Sequence, residues 1–159
     1  MGTEPERLAD WRGILGRYLV VSIAAHLIWE FLQLPLYTLW ATGTLQQKLF
    51  AIVHCTFGDV MIAGSSLMAA SAFFAPSRLP NAGVTRVWAA SVALDLGYTI
   101  FSEWLNTSVH KNWGYSDLMP IVPLIGTGLT PVLQWLVVPA LAMWIALGRA
   151  PWLDQRNGS

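Results

Sequence analysis

Four long apolar stretches, from about 18 to 40, 49 to 75, 87 to 105 and 120 to 147, take up most of this 159-residue chain. Each is close to the ~20 residues a helix needs to cross about 30 Å of hydrocarbon. Inside hydrocarbon, backbone N–H and C=O groups have no water to bond, so such stretches fold as helices. Charge is correspondingly scarce: 11% of residues are Asp, Glu, Lys or Arg, against about 25% in an average soluble domain. That is too little to cover the surface of a soluble globule. The expected fold is all-α, a single membrane domain over 1–159 built as an integral bundle of four transmembrane helices.

The few charges set further limits. Nine basic residues match nine acidic ones, which leaves no basic surface for nucleic acid. Cys55 is the only cysteine, so neither an internal disulfide nor a thiolate zinc site is available. The basic residues are distributed unevenly. Arg7, Arg12 and Arg17 precede the first stretch, Arg78 and Arg86 fall in the second connection, and Arg149 and Arg156 follow the last stretch. Only Lys48 and Lys111 fall on the opposite side. The positive-inside rule then places both termini in the cytoplasm, in a protein of the cell (inner) membrane. Trp40, Trp88, Trp104 and Trp144 lie near segment ends, where an aromatic belt would put them.

Polar residues interrupt every apolar segment. In the first, His26, Glu30 and Gln33 are spaced by four and then three, so they share a helix face, and Pro35 follows. The second carries His54 and Asp59, with Gly58, Gly64, Ser65 and Ser66 allowing close helix approach. The third places Asp95, Thr99, Ser102 and Asn106 on one face, with Glu103 beside them, and also carries Tyr98. Local Ser91, Thr99 and Ser102 are expected to satisfy Asp95. The fourth carries Gln134 and Trp135 one turn after Thr130-Pro131. An ionisable side chain inside a membrane is a functional candidate by default, because each costs about 2.5–3.5 kcal/mol even on the lenient insertion scale. Helix-to-helix hydrogen bonding is the structural alternative for any one of them. Taken together, they predict a polar cavity lined by His26, Glu30, Gln33, His54, Asp59, Glu103, Gln134 and Trp135. The third connection, with His110, Lys111, Trp113, Tyr115 and Asp117, reads either as a lid over that cavity or as an ordinary interfacial loop.

The order of these features resembles the EXPERA group, four-helix membrane proteins that include the emopamil-binding protein, a sterol isomerase. The resemblance rests on His26-Leu27-Ile28-Trp29-Glu30, on Tyr98 to Glu103, on Gln134 to Pro139, and on the polar run with proline between Glu103 and Pro123. The isomerases place a glutamate early in their second segment, where this chain has His54 and Asp59. They carry Asn where this chain has Gln134. The resemblance implies a lipid or isoprenoid ligand and a double-bond isomerase as the activity, with Glu30, Glu103 and His26 handling protons. It implies that Trp29, Gln33, His54, Asp59, Tyr98, Gln134 and Trp135 contact the ligand.

The chemistry of such a reaction needs one acid and one base at different carbons. A carboxyl in an apolar site can hold its proton near neutrality, and Trp135 can face a transient cation through its ring. His26, one turn before Glu30, is expected to share its proton. No cofactor or metal is required, and the partners expected are the membrane and a hydrophobic small molecule, with a homodimer left open. Three other classes compete: a metal or haem protein, a proton-coupled transporter, and an accessory subunit of a membrane complex. A haem held by His26 and His54 conflicts with their depths, which differ by roughly 10 Å. A mixed site of Glu30, His54, Asp59 and Glu103 is chemically reasonable. Four helices are few for alternating access, and there is no internal repeat.

Overall fold

The computed structural model describes residues 4–74, 81–146 and 148, with side chains over 15–74, 85–146 and at 148. Among the described residues there are five α-helices: α1 (Glu4–Gln33), the single turn α2 (Leu39–Thr42), α3 (Leu45–Phe74), α4 (Asn81–Trp104) and α5 (Leu129–Ala146). A 3-10 turn, Leu34–Leu36, follows α1, and a π-helical turn, Leu105–Val109, follows α4. Among the described residues there is no strand, only isolated bridges between Tyr37 and Tyr115 and between Ile121 and Gly128.

The four long helices form a ring. α1 packs against α5 and α3, α3 against α4, and α4 closes the ring on α5 through the least extensive seam. Small residues make the close approaches: Ala63, Ser66 and Ala70 on α3, and Ala142 and Ala146 on α5, are all buried. Large apolar side chains face outward instead. Val20, Ile28, Phe31 and Leu32 on α1 are exposed, as are Phe50, Val53, Phe57, Met61, Met68 and Phe73 on α3. The interior of α1 is polar, with Ser22, His26, Glu30 and Gln33 all buried. This is the arrangement for a solvent of lipid tails. Leu15–Leu36, Leu45–Phe74 and Leu129–Ala146 are each long and apolar enough to cross a membrane. α4 carries Arg86, Asp95 and Glu103 among several serines and threonines and is less apolar, yet its 24 residues rise about 36 Å.

Three of the long helices, α1, α3 and α4, begin earlier than the apolar stretches do, at Glu4, Leu45 and Asn81, and two other boundaries differ in ways that shape the cavity. The first helix does not continue to 40. Pro35 has no N–H to extend it, and the chain tightens into the 3-10 turn before turning at Tyr37. The fourth helix does not begin at 120. Residues 120–128 form a loop in which Val122 N–H donates to Thr127 O (2.8 Å) and Leu129 N–H donates to Pro120 O (2.7 Å). Leu124 takes a positive φ of 75° and projects outward. The apolar composition of 120–128 reflects where the loop lies rather than helix formation. Ser77 of the second connection and the basic residues Arg7, Arg12, Arg78, Arg149 and Arg156 lie outside the residues with described side chains.

Candidate functional site: a capped polar cavity

A cavity of about 420 Å³ opens inside the ring, toward the end where α1 and α4 finish and α3 and α5 begin. Glu30, Gln33, His54, Asp59, Tyr98, Glu103, Gln134 and Trp135 all line it, with Leu34, Leu39, Ile52 and Ile62 among its apolar walls. Tyr98 is half exposed and stands at the rim. His54 stacks its ring on Phe50 at 5.3 Å, and Phe50 faces outward. Two of the expected residues are not in the lining. Trp29 is one residue before Glu30, about 100° round the helix, and its side chain leaves the cavity face. His26 is completely buried one turn below Glu30, behind the wall.

Gln134 organises the wall from α5. Its Nε2 lies 3.0 Å from His26 Nδ1, 3.1 Å from Glu30 Oε1 and 2.8 Å from Asp59 Oδ2. Its Oε1 accepts from Gln33 Nε2 at 3.3 Å, and the same Gln33 nitrogen donates to Glu30 Oε1 at 2.6 Å. An amide nitrogen has two hydrogens, so three acceptors cannot all be served. The count closes if His26 carries its hydrogen on Nδ1 and donates to Asp59 Oδ2, 3.4 Å away. His26 is therefore paired with Asp59 and Gln134, not with Glu30 as its spacing suggested. Across the helices, its ring lies 4.9 Å from that of Trp135.

Glu103 approaches from α4. The Tyr115 hydroxyl donates to its Oε2 and accepts from Gly128 N–H at 3.0 Å. Burial, then the bond to Glu103, pushes the Tyr115 phenol above its ordinary value. The chain leaves Glu103 directly into the π-helical turn, where Thr107 Oγ1 donates to Glu103 O at 2.7 Å and Asn106 Nδ2 donates to Ser102 O at 2.9 Å. Such wide turns are frequent at functional sites.

The third connection covers the cavity. Ser116 N–H donates to Leu36 O and Thr38 N–H to Gly114 O, both at 2.9 Å, so 114–116 pairs with 36–38 across the end of the bundle. Asn112 and Trp113 then join the lining. Gly128 sits tightly under this cap: a Cβ there would stand 2.9 Å from Met119 Sδ and 3.1 Å from the Tyr115 ring, so both side chains would have to give way. Tyr37 and Tyr115, with ring centroids 5.6 Å apart, are the residues the sequence reading underweighted. Each flanks a breaker, Pro35 or Gly114, but only the pairing of two distant loops brings them together. Asp95 also departs from expectation. It is fully buried, yet neither carboxylate oxygen has a hydrogen-bond partner among Ser91, Thr99 or Ser102.

Among the described residues, no three His, Cys, Asp or Glu side chains converge to hold a metal ion, so Glu30, His54, Asp59 and Glu103 share a cavity without forming a coordination site. No family model, curated protein or solved structure matches the chain.

Proposed function

We propose that this is a four-span membrane protein, with both termini in the cytoplasm, whose cavity holds a lipid or isoprenoid and moves a double bond in it. The observation that carries the reading is one cavity with apolar walls into which two carboxyls, Glu30 and Glu103, reach from different helices. Its 420 Å³ falls within the roughly 300–1,000 Å³ of small-ligand sites. The resemblance to EXPERA proteins supports the same assignment. α4 serves as the fourth span because it packs extensively against α3 and places Asp95, Thr99 and Glu103 inward.

In the proposed reaction one carboxylic acid gives its proton to an alkene carbon. The resulting cation sits beside the Trp135 ring, and the opposite carboxylate removes a proton from the neighbouring carbon. The double bond has then moved, with no net gain or loss of protons. Gln33 and Gln134 hold Glu30 in place, and Tyr115 holds Glu103. His26 acts through Gln134 and Asp59 rather than on the ligand. Mass spectrometry of lipid retained by the detergent-extracted protein tests the reading. A specific hydrophobic molecule is expected, lost when Ile62→Trp fills the cavity. Retention of the same bulk membrane lipids by parent and variant would reject it.

A further inference from the structure

The third connection has two unlike halves. The first, 106–117, carries His110, Lys111 and Asp117. The second, 118–128, reads LMPIVPLIGTG and holds no charged residue. The proposed reaction uses none of its side chains. Leu118, Ile121, Leu124 and Ile125 are exposed, Leu124 completely so. Leu124 also holds a φ of 75°, a left-handed conformation that ordinarily falls to Gly or Asn.

The level of this loop follows from α5. Its 18 residues rise about 27 Å, short of the roughly 30 Å of hydrocarbon. The helix is closed at its far end by Gly148, which takes a φ of 69° and donates its N–H to Ile145 O at 3.0 Å. With α5 as a span, Leu129 therefore lies at or just inside the hydrocarbon boundary. Ile121 and Gly128 form an antiparallel bridge, so the loop is held at that level and not above it.

Non-helical backbone is tolerated near lipid only where its polar groups are served. Between Met119 and Leu129, the N–H groups of Met119, Val122, Gly126, Gly128 and Leu129 all donate within the loop or to the cap. Pro120 and Pro123 have no N–H to serve. Ile121, Leu124, Ile125 and Thr127 donate no such bond, which keeps the loop at the headgroup boundary, within reach of water, and out of the tails.

We propose that 118–125 is a wedge inserted into the headgroup–acyl boundary of the leaflet at the capped end. Its occupant is phospholipid, met by Leu118, Ile121, Leu124 and Ile125. The patch continues into the outer face of α5, where Leu133, Leu136 and Val137 are exposed, and this continuity favours lipid over a second copy of the chain. The wedge is tied to the cap, because Met119 N–H donates to Ser116 O at 3.0 Å and Gly128 N–H donates to the Tyr115 hydroxyl. The bilayer surface thereby holds the cap over the cavity. The inference rests on α5 crossing the membrane, not on any turnover.

Methyl NMR of the intact protein in phospholipid nanodiscs, with leucine and valine methyls labelled, tests this. Signals are assigned by their loss in Leu124→Met, Leu118→Met and Val137→Met. One sample contains lipid with a nitroxide near its headgroup, and another a gadolinium chelate in the water. The Leu124 and Leu118 signals should be lost to the nitroxide lipid and survive the chelate. Val137, midway along α5, is the reference for the span and should also survive the chelate. Loss of Leu124 to the chelate while Val137 survives overturns the wedge and leaves the span standing. Loss of both to the chelate overturns the two together. Protection of Leu124 from both agents means that a second copy covers the loop, and overturns the wedge as well. Leu118 decides by the same criteria if Leu124→Met fails to fold.

Discussion

The two halves of this bundle treat buried polarity in opposite ways. In the capped half, Glu30, Gln33, Asp59 and Gln134 are tied by bonds of 2.6–3.3 Å, and Glu103 is held by Tyr115. In the tail half, the end where α1 and α4 begin and α3 and α5 finish, Ser22, Ser91 and Asp95 are as deeply buried and leave their side-chain oxygens unpartnered. Both halves are wrapped in the same exposed apolar side chains, so the bilayer does not account for the contrast. A satisfied network fixes positions, as the proposed pair of reacting carboxyls would require. An unsatisfied layer costs stability instead.

That contrast is open to direct tests by reversible unfolding in detergent or lipid. The largest effect is expected from Gln134→Leu. Three hydrogen bonds meet at this amide once its two hydrogens are counted, and hydrogen bonds within membranes average about 0.6 kcal/mol, so a loss of about 2 kcal/mol is expected; no loss would mean that the network contributes nothing. Gly128→Ala forces a methyl against Met119 and the Tyr115 ring and should destabilise by about 1–2 kcal/mol, the usual scale of overpacking. Asp95→Asn in the tail half should go the other way, gaining about 1 kcal/mol by removing a buried ionisable carboxyl without hydrogen-bond partners. Destabilisation there would show that Asp95 is satisfied after all. Tyr115→Phe should have the smallest effect, about 0.6 kcal/mol.

The cap also has a pH dependence. The Tyr115 phenol is raised above its unfolded value of 10.0. Its contribution is therefore complete below pH 10 and is lost as pH rises through the folded value. The difference in stability between parent and Tyr115→Phe should stay constant from neutrality to pH 10 and shrink above it.

Much of the capped half is legible in the sequence because helical spacing is a strong constraint. His26, Glu30 and Gln33 share a face at any tilt, and apolar neighbours on the other faces force that face inward. Spacing reports which face a residue occupies, but not its partner. His26 lies one turn from Glu30 and bonds to residues of α3 and α5 instead, because cross-helix groups reach its Nδ1. Trp29 belongs to the His26–Glu30 stretch, but the rotation of one residue along the helix takes it out of the cavity lining. The loop over 120–128 reads as helix because hydropathy does not separate a membrane-facing loop from a membrane-crossing one. The cap is ambiguous for a related reason: Tyr37 and Tyr115 are separated by about half of the chain, and only paired backbone joins them.

The central claim is that Glu30 and Glu103 pass protons to and from a bound lipid. The most direct measurement is deuterium uptake, with the lipid recovered from the protein returned to it in heavy water. The parent should shift the double bond and place deuterium at the newly saturated carbon. Glu30→Gln and Glu103→Gln should each reduce uptake by about 10²–10⁴-fold, the contribution of a positioned acid or base, while retaining the lipid. Equal uptake in the parent and both variants would contradict the account.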